Sequence, residues 1–226
     1  MERARYIAVE GPIGVGKTAF ARILAAKLGA RFIGEPDDNP FLGGFYQDPR
    51  RFAFQTQLFY LLSRYQRHAD LKQDDLFSQG GVVTDYLFQR DRVFAQLTLS
   101  PSELSLYDKV FRLLDTHFPR PDLVVYLQAR PEVLLERIRR AASDEGKPAR
   151  ALTADYLDEV ARGYADFFFQ YTESPLLIVN TSEIDFVADP ANPKAAPNTS
   201  EVQDDLVAVI RRTKAGISHY NPLGTR

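Results

Sequence analysis

The 226-residue sequence contains no cysteine, which excludes disulfide bridges and metal sites built on thiolates. No stretch approaches the roughly 18 apolar residues of a membrane-spanning helix, and the charged N-terminal segment does not resemble a secretory signal. The formal net charge is only −2, so no basic field attracts the chain to nucleic acid or to an anionic membrane. We therefore expect a soluble, cytoplasmic protein without nucleic-acid or membrane partners.

The composition that is present indicates one α/β domain. Apolar residues make up 45% of the chain and charged residues 26%, as in ordinary globular proteins, and the length suits a single domain. Five short, largely apolar runs are typical of strands: Tyr6–Glu10, Ala30–Ile33, Val82–Thr84, Pro121–Leu127 and Leu176–Asn180. Because helical patterns alternate with these runs, we predict a parallel sheet of about five strands with helices on both faces.

The helical patterns divide the rest of the chain. They cover residues 17–28, 49–72, 87–98, 102–117, 131–142, 153–171 and 201–214. Residues 188–200 contain three prolines and are predicted to form a loop, and residues 215–226 a C-terminal tail. The whole chain is therefore interpreted as one domain.

One motif determines the class of fold. The segment GPIGVGKT matches the phosphate-binding P-loop pattern in full, directly after a predicted strand and at the start of a predicted helix. Its glycines let backbone N–H groups surround the phosphates, the lysine reaches the β- and γ-phosphates, and the threonine hydroxyl binds Mg²⁺. The predicted ATP-binding residues are Gly11, Pro12, Ile13, Gly14, Val15, Gly16, Lys17 and Thr18.

The P-loop alone does not separate kinases from GTPases or ATP-driven motors. No guanine-reading pattern of the type Asn/Thr-Lys-x-Asp is visible in the sequence. Asp85 ends a predicted strand, where a second acidic group beside the metal is needed. We therefore assign Asp85 to the metal side, with Thr18; the alternative is an N-cap of the helical pattern that begins two residues later.

Beyond the P-loop, the sequence resembles the deoxynucleoside kinase family, in particular its bacterial deoxyadenosine/deoxyguanosine kinase-like branch. The resemblance extends from Ile7 to about Asn180. The segments that carry it are Gly34-Glu35-Pro36, Phe45-Tyr46-Gln47-Asp48-Pro49, Gln57, Asp85, Asp91 with Phe94, Pro121–Leu127 and Glu136-Arg-Ile-Arg-Arg140. The resemblance implies a P-loop NTPase fold and an enzyme of nucleotide salvage that phosphorylates a deoxynucleoside.

The resemblance also implies roles for residues on the acceptor side. Glu35 stands at the position of the general base that takes the proton from the 5′-hydroxyl; the alternative is a turn residue before Pro36. Tyr46 matches the residue that binds the sugar 3′-hydroxyl. Gln57 matches the glutamine that reads the base, since its amide offers both a donor and an acceptor.

A second set of implied residues completes the acceptor site. Arg64 matches an arginine that pairs with an aspartate at Asp91, and Phe94 matches the aromatic residue that stacks on the base. The lid, about residues 137–152, is expected to bring arginines over the transferring phosphates. The candidate lid residues are Arg137, Arg139, Arg140 and the acidic sugar contact Glu145.

The sequence departs from the family at Tyr86, where an arginine usually follows the acidic residue. Tyr86 cannot supply that positive charge, and we predict that an arginine elsewhere compensates, with the lid arginines better placed than Arg92. The lid pattern departs as well, because Ala141-Ala142 replace basic or glycine residues.

The resulting interpretation is a Mg²⁺-dependent kinase that transfers the γ-phosphoryl group of ATP to a deoxynucleoside, with purine deoxynucleosides or deoxycytidine favoured. Two alternatives stay open: a nucleoside monophosphate kinase or other small-acceptor P-loop kinase, and a nucleotide-binding regulator without catalysis. The aromatic, glutamine-bearing segment 52–65 favours an uncharged nucleoside over a monophosphate. The resemblance further implies a homodimer formed through helices near 52–70 and 102–117.

Overall fold

The structure is a computed structural model that describes residues 6–36, 38–69, 81–144, 153–187 and 200–221. Glu145, the second half of the predicted lid (residues 145–152) and residues 188–199 of the predicted proline-rich loop lie outside the described residues. None of the helices within the described ranges is both long enough and apolar enough to span a membrane.

A parallel sheet forms the centre of the fold. Its strands are β1 (Tyr6–Glu10), β2 (Arg31–Ile33), β3 (Val82–Thr84), β4 (Leu123–Gln128), β5 (Leu176–Asn180) and β6 (Ile217–Tyr220). They lie in the order β2-β3-β1-β4-β5-β6, and every neighbouring pair is parallel. The five predicted strands are present, and the parallel α/β class is confirmed.

The sixth strand lies within the segment predicted to be a tail, so that prediction was wrong for Ile217–Tyr220. Among the described residues this strand pairs only with β5 and forms one edge of the sheet. Its sequence, Ile-Ser-His-Tyr, alternates between exposed and half-buried side chains. An edge strand of this kind lacks the continuous apolar run that identifies a strand buried on both faces.

The helices are α1 (Lys17–Leu28), α2 (Leu42–Gln47), α3 (Pro49–Ala69), α4 (Asp91–Thr98), α5 (Pro101–Asp115), α6 (Pro131–Asp144), α7 (Ala154–Phe169) and α8 (Ser200–Arg212). The helix predicted over 87–98 instead begins with a 3₁₀ turn, Phe88–Arg90, before α4. Helix α5 begins with a capping box, in which Ser100 and Glu103 exchange hydrogen bonds.

Alternate residues of β1 pack into different cores, so the sheet is covered on both faces. Ile7 and Val9 belong to a cluster with residues of α1, α6 and α8. Tyr6 and Ala8 belong to a second cluster, with Tyr164 of α7. A third cluster joins α3 to α5 and includes Tyr86 and Phe88, which follow β3. Because parallel strands end at the same edge, the residues after β1, β2 and β3 converge there.

Candidate active site

The loop between β1 and α1 has the backbone of a phosphate-binding P-loop. Gly14 and Gly16 have φ angles of 83° and 92°, in the left-handed region that residues with a Cβ rarely adopt. A Cβ at Gly14 would also lie 2.7 Å from Cγ1 of Ile138, so α6 packs directly against the loop. The strand, loop and helix therefore occur in the order that the motif predicts.

Lys17 folds its side chain back over this loop. Its Nζ donates hydrogen bonds to the carbonyl oxygens of Gly11 at 2.8 Å and Pro12 at 3.2 Å. Burial lowers the pKa of Lys17 to about 8, against the opposing effect of the Glu10 carboxylate. A partly desolvated ammonium group gains more from a phosphate than a fully hydrated one, which suits the predicted role of Lys17.

Asp85 connects the P-loop helix to the segment after β2. The hydroxyl of Thr18 donates a hydrogen bond to Asp85 Oδ2 at 2.5 Å, and the backbone N–H of Glu35 donates to Oδ1 at 2.6 Å. Burial raises the pKa of Asp85, and the Thr18 hydrogen bond and Lys17 act in the opposite direction. Asp85 is therefore positioned toward the P-loop, as expected of a metal-side acid.

Thr18 and Asp85 fit the requirements of a Mg²⁺ site. A hydroxyl and a carboxylate oxygen are the hard ligands that this ion prefers. Across the described residues, no group of three or more His, Cys, Asp or Glu side chains could hold a metal ion by itself. Mg²⁺ that serves phosphoryl transfer is usually bound by one or two side chains, with water and substrate phosphates as its other ligands.

Glu35 lies between two arginines. Its Oε1 forms an ion pair with Arg64 and accepts a hydrogen bond from Nη2 of Arg90 at 3.1 Å. The Glu35 side chain is 29% exposed, whereas both arginine side chains are almost completely buried. Arg64 also forms an ion pair with the buried Asp91. The structure thus brings together Glu35, Arg64 and Asp91, three of the residues selected from the sequence.

Glu10 and Arg90 belong to the same cluster, and the sequence analysis missed both. Glu10 is fully buried, and Oε1 accepts hydrogen bonds from the N–H of Gly11 and the hydroxyl of Tyr164. Oε2 accepts from the N–H of Leu87 and, at 2.8 Å, from Nε of Arg90. A lone acidic residue at the end of an otherwise apolar strand was the available signal, because a buried carboxylate needs a partner.

Tyr86 is packed in the interior and does not face the P-loop as a charged residue would. It is fully buried, and its hydroxyl lies 3.2 Å from Nδ1 of His68. Burial raises the pKa of Tyr86, so the phenol stays neutral. The positive charge beside Glu35 comes instead from Arg64 and Arg90.

The residues predicted to read the base lie where α3 meets α4. Nε2 of Gln57 donates a hydrogen bond to Oγ1 of Thr98 at 3.3 Å. Phe94, one turn before Thr98, lies under the guanidinium of Arg90, whose Cζ is 5.0 Å from the ring centroid. Phe94 is half-buried, and one edge of its ring meets Tyr164. Phe94 thus contacts the Glu35 cluster through Arg90, and Gln57 lies two turns from Arg64 on α3.

Tyr46 lies on α2, half-buried, with its ring 5.8 Å from that of Phe45 in an edge-to-face arrangement. It also lies near Tyr156 of α7, whose pKa rises to about 12 mainly through burial, with a smaller contribution from Tyr46. The assignment of Tyr46 to the sugar 3′-hydroxyl stays a prediction.

The three predicted lid arginines have different surroundings. Arg137 is buried, and its Nη2 donates to the carbonyl oxygens of Thr181 at 2.7 Å and Ile184 at 2.6 Å. Arg140 forms an ion pair with Asp185 in the same loop. Arg139 is exposed. In this structure Arg137 and Arg140 therefore attach α6 to the segment after β5, and their predicted contact with phosphates stays a prediction.

Comparison with known proteins gives a consistent result. The profile of the family described as deoxynucleoside kinase matches residues 7–200. The chain is 34% identical to deoxyguanosine kinase of Bacillus subtilis (strain 168) over 193 residues, which cover 83% of this chain and 91% of the relative. It is 32% identical to deoxyadenosine kinase of Dictyostelium discoideum over 185 residues, 79% of this chain and 73% of the relative.

Solved structures share the fold. Deoxyadenosine kinase from M. mycoides with bound dATP superposes with a TM-score of 0.70 at 20% sequence identity. The match covers 90% of this chain and 97% of that chain. The same enzyme with the products dCMP and dCDP gives a TM-score of 0.69 at 19% identity.

Proposed function

The chain belongs to the deoxynucleoside kinase family and is a kinase of deoxynucleosides, and on that basis we propose that it transfers the γ-phosphoryl group of ATP to the 5′-hydroxyl through the cluster at Glu35. The observation that carries this proposal is the position of Glu35, one hydrogen bond from Asp85, which itself contacts Thr18 of the P-loop. An acceptor hydroxyl bound at Glu35 is therefore close to a phosphate bound in the P-loop.

Glu35 binds and orients the 5′-hydroxyl and accepts its proton as the new O–P bond forms. The transferring group has a loose transition state, so a carboxylate of ordinary basicity is sufficient. The attacking oxygen and the leaving oxygen lie in line, and no covalent enzyme intermediate is needed. Arg64 and Arg90 hold Oε1 of Glu35 in place. Because the carboxylate is already ordered, it loses less conformational entropy when the nucleoside binds.

Thr18 and Asp85 would hold Mg²⁺ together with the nucleotide. When bound, the ion neutralises charge on the β- and γ-phosphates. Lys17 binds the same phosphates through its ammonium group, and the N–H groups of the loop surround them.

Arg90 takes the place of the positive charge that Tyr86 lacks. Its guanidinium is fixed on one side by Glu10 and reaches Glu35 with the other. It therefore lies between the strand that leads into the P-loop and the residue that holds the acceptor. Among the three candidate lid arginines, Arg137 and Arg140 contact the segment after β5. The exposed Arg139 is therefore the lid arginine that we expect to contact the phosphates.

A monophosphate acceptor is disfavoured by the charges at the acceptor side. Arg64 and Arg90 are paired there with three carboxylates, those of Glu10, Glu35 and Asp91. A second phosphate would have to displace one of these carboxylates. The cluster therefore supports an uncharged nucleoside as acceptor.

The base site favours a base with an exocyclic amine, which supports purine deoxynucleosides or deoxycytidine. Asp91 Oδ2 is fully buried and has no hydrogen-bond partner within the described part of the chain. Such an acceptor is costly until a donor reaches it. Gln57 stands on the same face of α3 as Arg64, two turns away, and adds an amide donor and acceptor.

The test is transfer of labelled γ-phosphate from ATP to the four deoxynucleosides, the four ribonucleosides and their monophosphates. Turnover of deoxynucleosides, with monophosphates inert, supports the proposal. Turnover of monophosphates would replace it with a nucleotide kinase. Binding of ATP and nucleoside without turnover would indicate a regulator.

We also propose that the chain forms a homodimer through α3 and α5. These helices expose three leucines to solvent: Leu62 at 45%, Leu106 at 51% and Leu113 at 71%. Light scattering should give a mass of two chains for the wild type and of one chain for Leu106→Lys/Leu113→Lys. A monomeric wild type would exclude the proposal.

A further inference from the structure

Two polar contacts between described side chains join α3 to α4, and their spacing is the same on both helices. Gln57 is hydrogen-bonded to Thr98, and Arg64 forms an ion pair with Asp91. On each helix the two partners are seven residues apart, which is two turns and places them on one face. The order of the partners is reversed between the helices, so α3 and α4 run antiparallel at this contact.

The hydroxyl proton of Thr98 is already committed within α4. Oγ1 lies 2.7 Å from the carbonyl oxygen of Phe94, one turn earlier, and a carbonyl oxygen can only accept. A threonine hydroxyl has a single proton to donate. Toward Gln57, therefore, Oγ1 of Thr98 can act only as an acceptor.

This determines which way the Gln57 amide faces. The group beside Thr98 has to be the NH₂ of Nε2, because the reversed amide would place Oε1 against another acceptor oxygen. The second N–H and Oε1 of Gln57 have no partner within the described residues. A fixed arrangement of one donor and one acceptor is thus presented on the side that Thr98 does not occupy.

We propose that Thr98 is a specificity-determining residue, because it fixes the orientation of the Gln57 amide and thereby selects between amino and oxo bases. The proposal rests on the role of Gln57 as the base-reading residue. Adenine and cytosine present an exocyclic donor beside a ring-nitrogen acceptor. Guanine and thymine present the reverse, an exocyclic oxygen beside a ring N–H.

If the Gln57 amide could rotate freely, it would form hydrogen bonds with both arrangements of donor and acceptor. A fixed amide can form them with only one of the two. For a base held in a constant orientation by stacking on Phe94, the wrong pattern sets donor against donor and acceptor against acceptor. A site with polar groups that the ligand leaves unpaired rejects that ligand strongly. Thr98 thus acts on the base through Gln57, without contact of its own.

The experiment measures kcat/KM for deoxyadenosine, deoxyguanosine, deoxycytidine and thymidine in the wild type, Thr98→Val, Thr98→Ser and Gln57→Leu. Valine keeps the shape of threonine and removes the hydroxyl, and serine keeps the hydroxyl. We expect Thr98→Val to reduce the ratio between the preferred and the disfavoured purine by about threefold to tenfold, the worth of one hydrogen bond. The ratio should fall because kcat/KM for the disfavoured purine rises.

Thr98→Ser should keep the wild-type ratio within about twofold, because it preserves both hydrogen bonds. If Thr98→Val keeps the wild-type ratio while Gln57→Leu changes it, Thr98 does not fix the amide and the proposal is wrong. An equal loss in Thr98→Ser would assign the effect to the lost methyl group and also overturn it. If Gln57→Leu leaves the ratio unchanged, Gln57 does not read the base, and the proposed base site fails with the inference. Thr98→Ala, which also lacks the hydroxyl, repeats the test if the valine variant does not fold.

Discussion

Nε of Arg90 lies 2.8 Å from Oε2 of Glu10, in an ion pair whose two side chains are 5% and 0% exposed. Glu10 is the last residue of β1, directly before the P-loop, and Arg90 also reaches Glu35. The pair therefore connects the start of the phosphate-binding loop to Glu35, the proposed general base. Because a buried charge is tolerated only with a partner, neither residue can be changed without affecting the other.

We expect Arg90→Gln to lower kcat by about 10²-fold or more, on the scale of a lost transition-state or base-positioning contact. Binding of a fluorescent ATP analogue should change much less, because the P-loop itself is intact. Arg90→Lys, which retains the charge but not the two-sided contact, should recover part of the loss. The measurement is steady-state kinetics beside thermal unfolding.

Arg92→Gln is the matched control for that variant. Arg92 lies two residues further on, its side chain is 44% exposed, and it pairs with Asp108 at the surface. Surface ion pairs contribute little, so turnover should stay within about twofold. If Arg139→Ala costs the turnover assigned here to Arg90, and Arg90→Gln does not, the lid supplies the missing positive charge.

Glu35→Gln should lower kcat by about 10²–10⁴-fold, the usual range for a positioned acid or base. The KM for the deoxynucleoside should change less, because the amide still binds a hydroxyl. The fold should be retained, since Arg64 keeps Asp91 and Arg90 keeps Glu10. Near-full turnover in this variant would show that Glu35 is not the general base and is only a residue of the turn before Pro36.

Asp91→Ala should destabilise the protein more than the double change Arg64→Met/Asp91→Ala. The single change leaves the buried guanidinium of Arg64 with one carboxylate fewer, whereas the double change removes both charges. The double variant should recover stability in urea unfolding but lose selection against thymidine. Equal stability of the two variants, with unchanged ratios of kcat/KM, would show that the pair neither supports the fold nor reads the base.

Lys17→Met should abolish transfer while the unliganded protein becomes no less stable at pH 7. Burial lowers the pKa of Lys17 to about 8 in the folded state, so the unfolded chain binds the proton more tightly. Between pH 8 and the ordinary lysine pKa of about 10.5, the wild type should therefore gain stability relative to Lys17→Met. A relative loss over this range, measured by urea unfolding at each pH, would contradict the burial of this charge.

The sequence alone determined the P-loop and much of the sheet. The motif is contiguous, so its function depends on local backbone geometry that Gly14 and Gly16 supply. The buried strands could be recognised from the sequence because continuous apolar runs are typical of strands covered on both faces. Glu35 and Asp85 follow β2 and β3, and parallel strands end at one edge of the sheet.

Only the tertiary structure distinguished Arg90 from Arg92. Both are arginines at the start of one helical segment, but one is enclosed by two carboxylates and the other is exposed. The difference arises because Glu10 comes from a strand 80 residues earlier in the chain. The orientation of Gln57 depends in the same way on the contact of α3 with α4. Local patterns record periodicity and backbone preference, whereas the environment of a charge or an amide depends on the distant residues that the fold places around it.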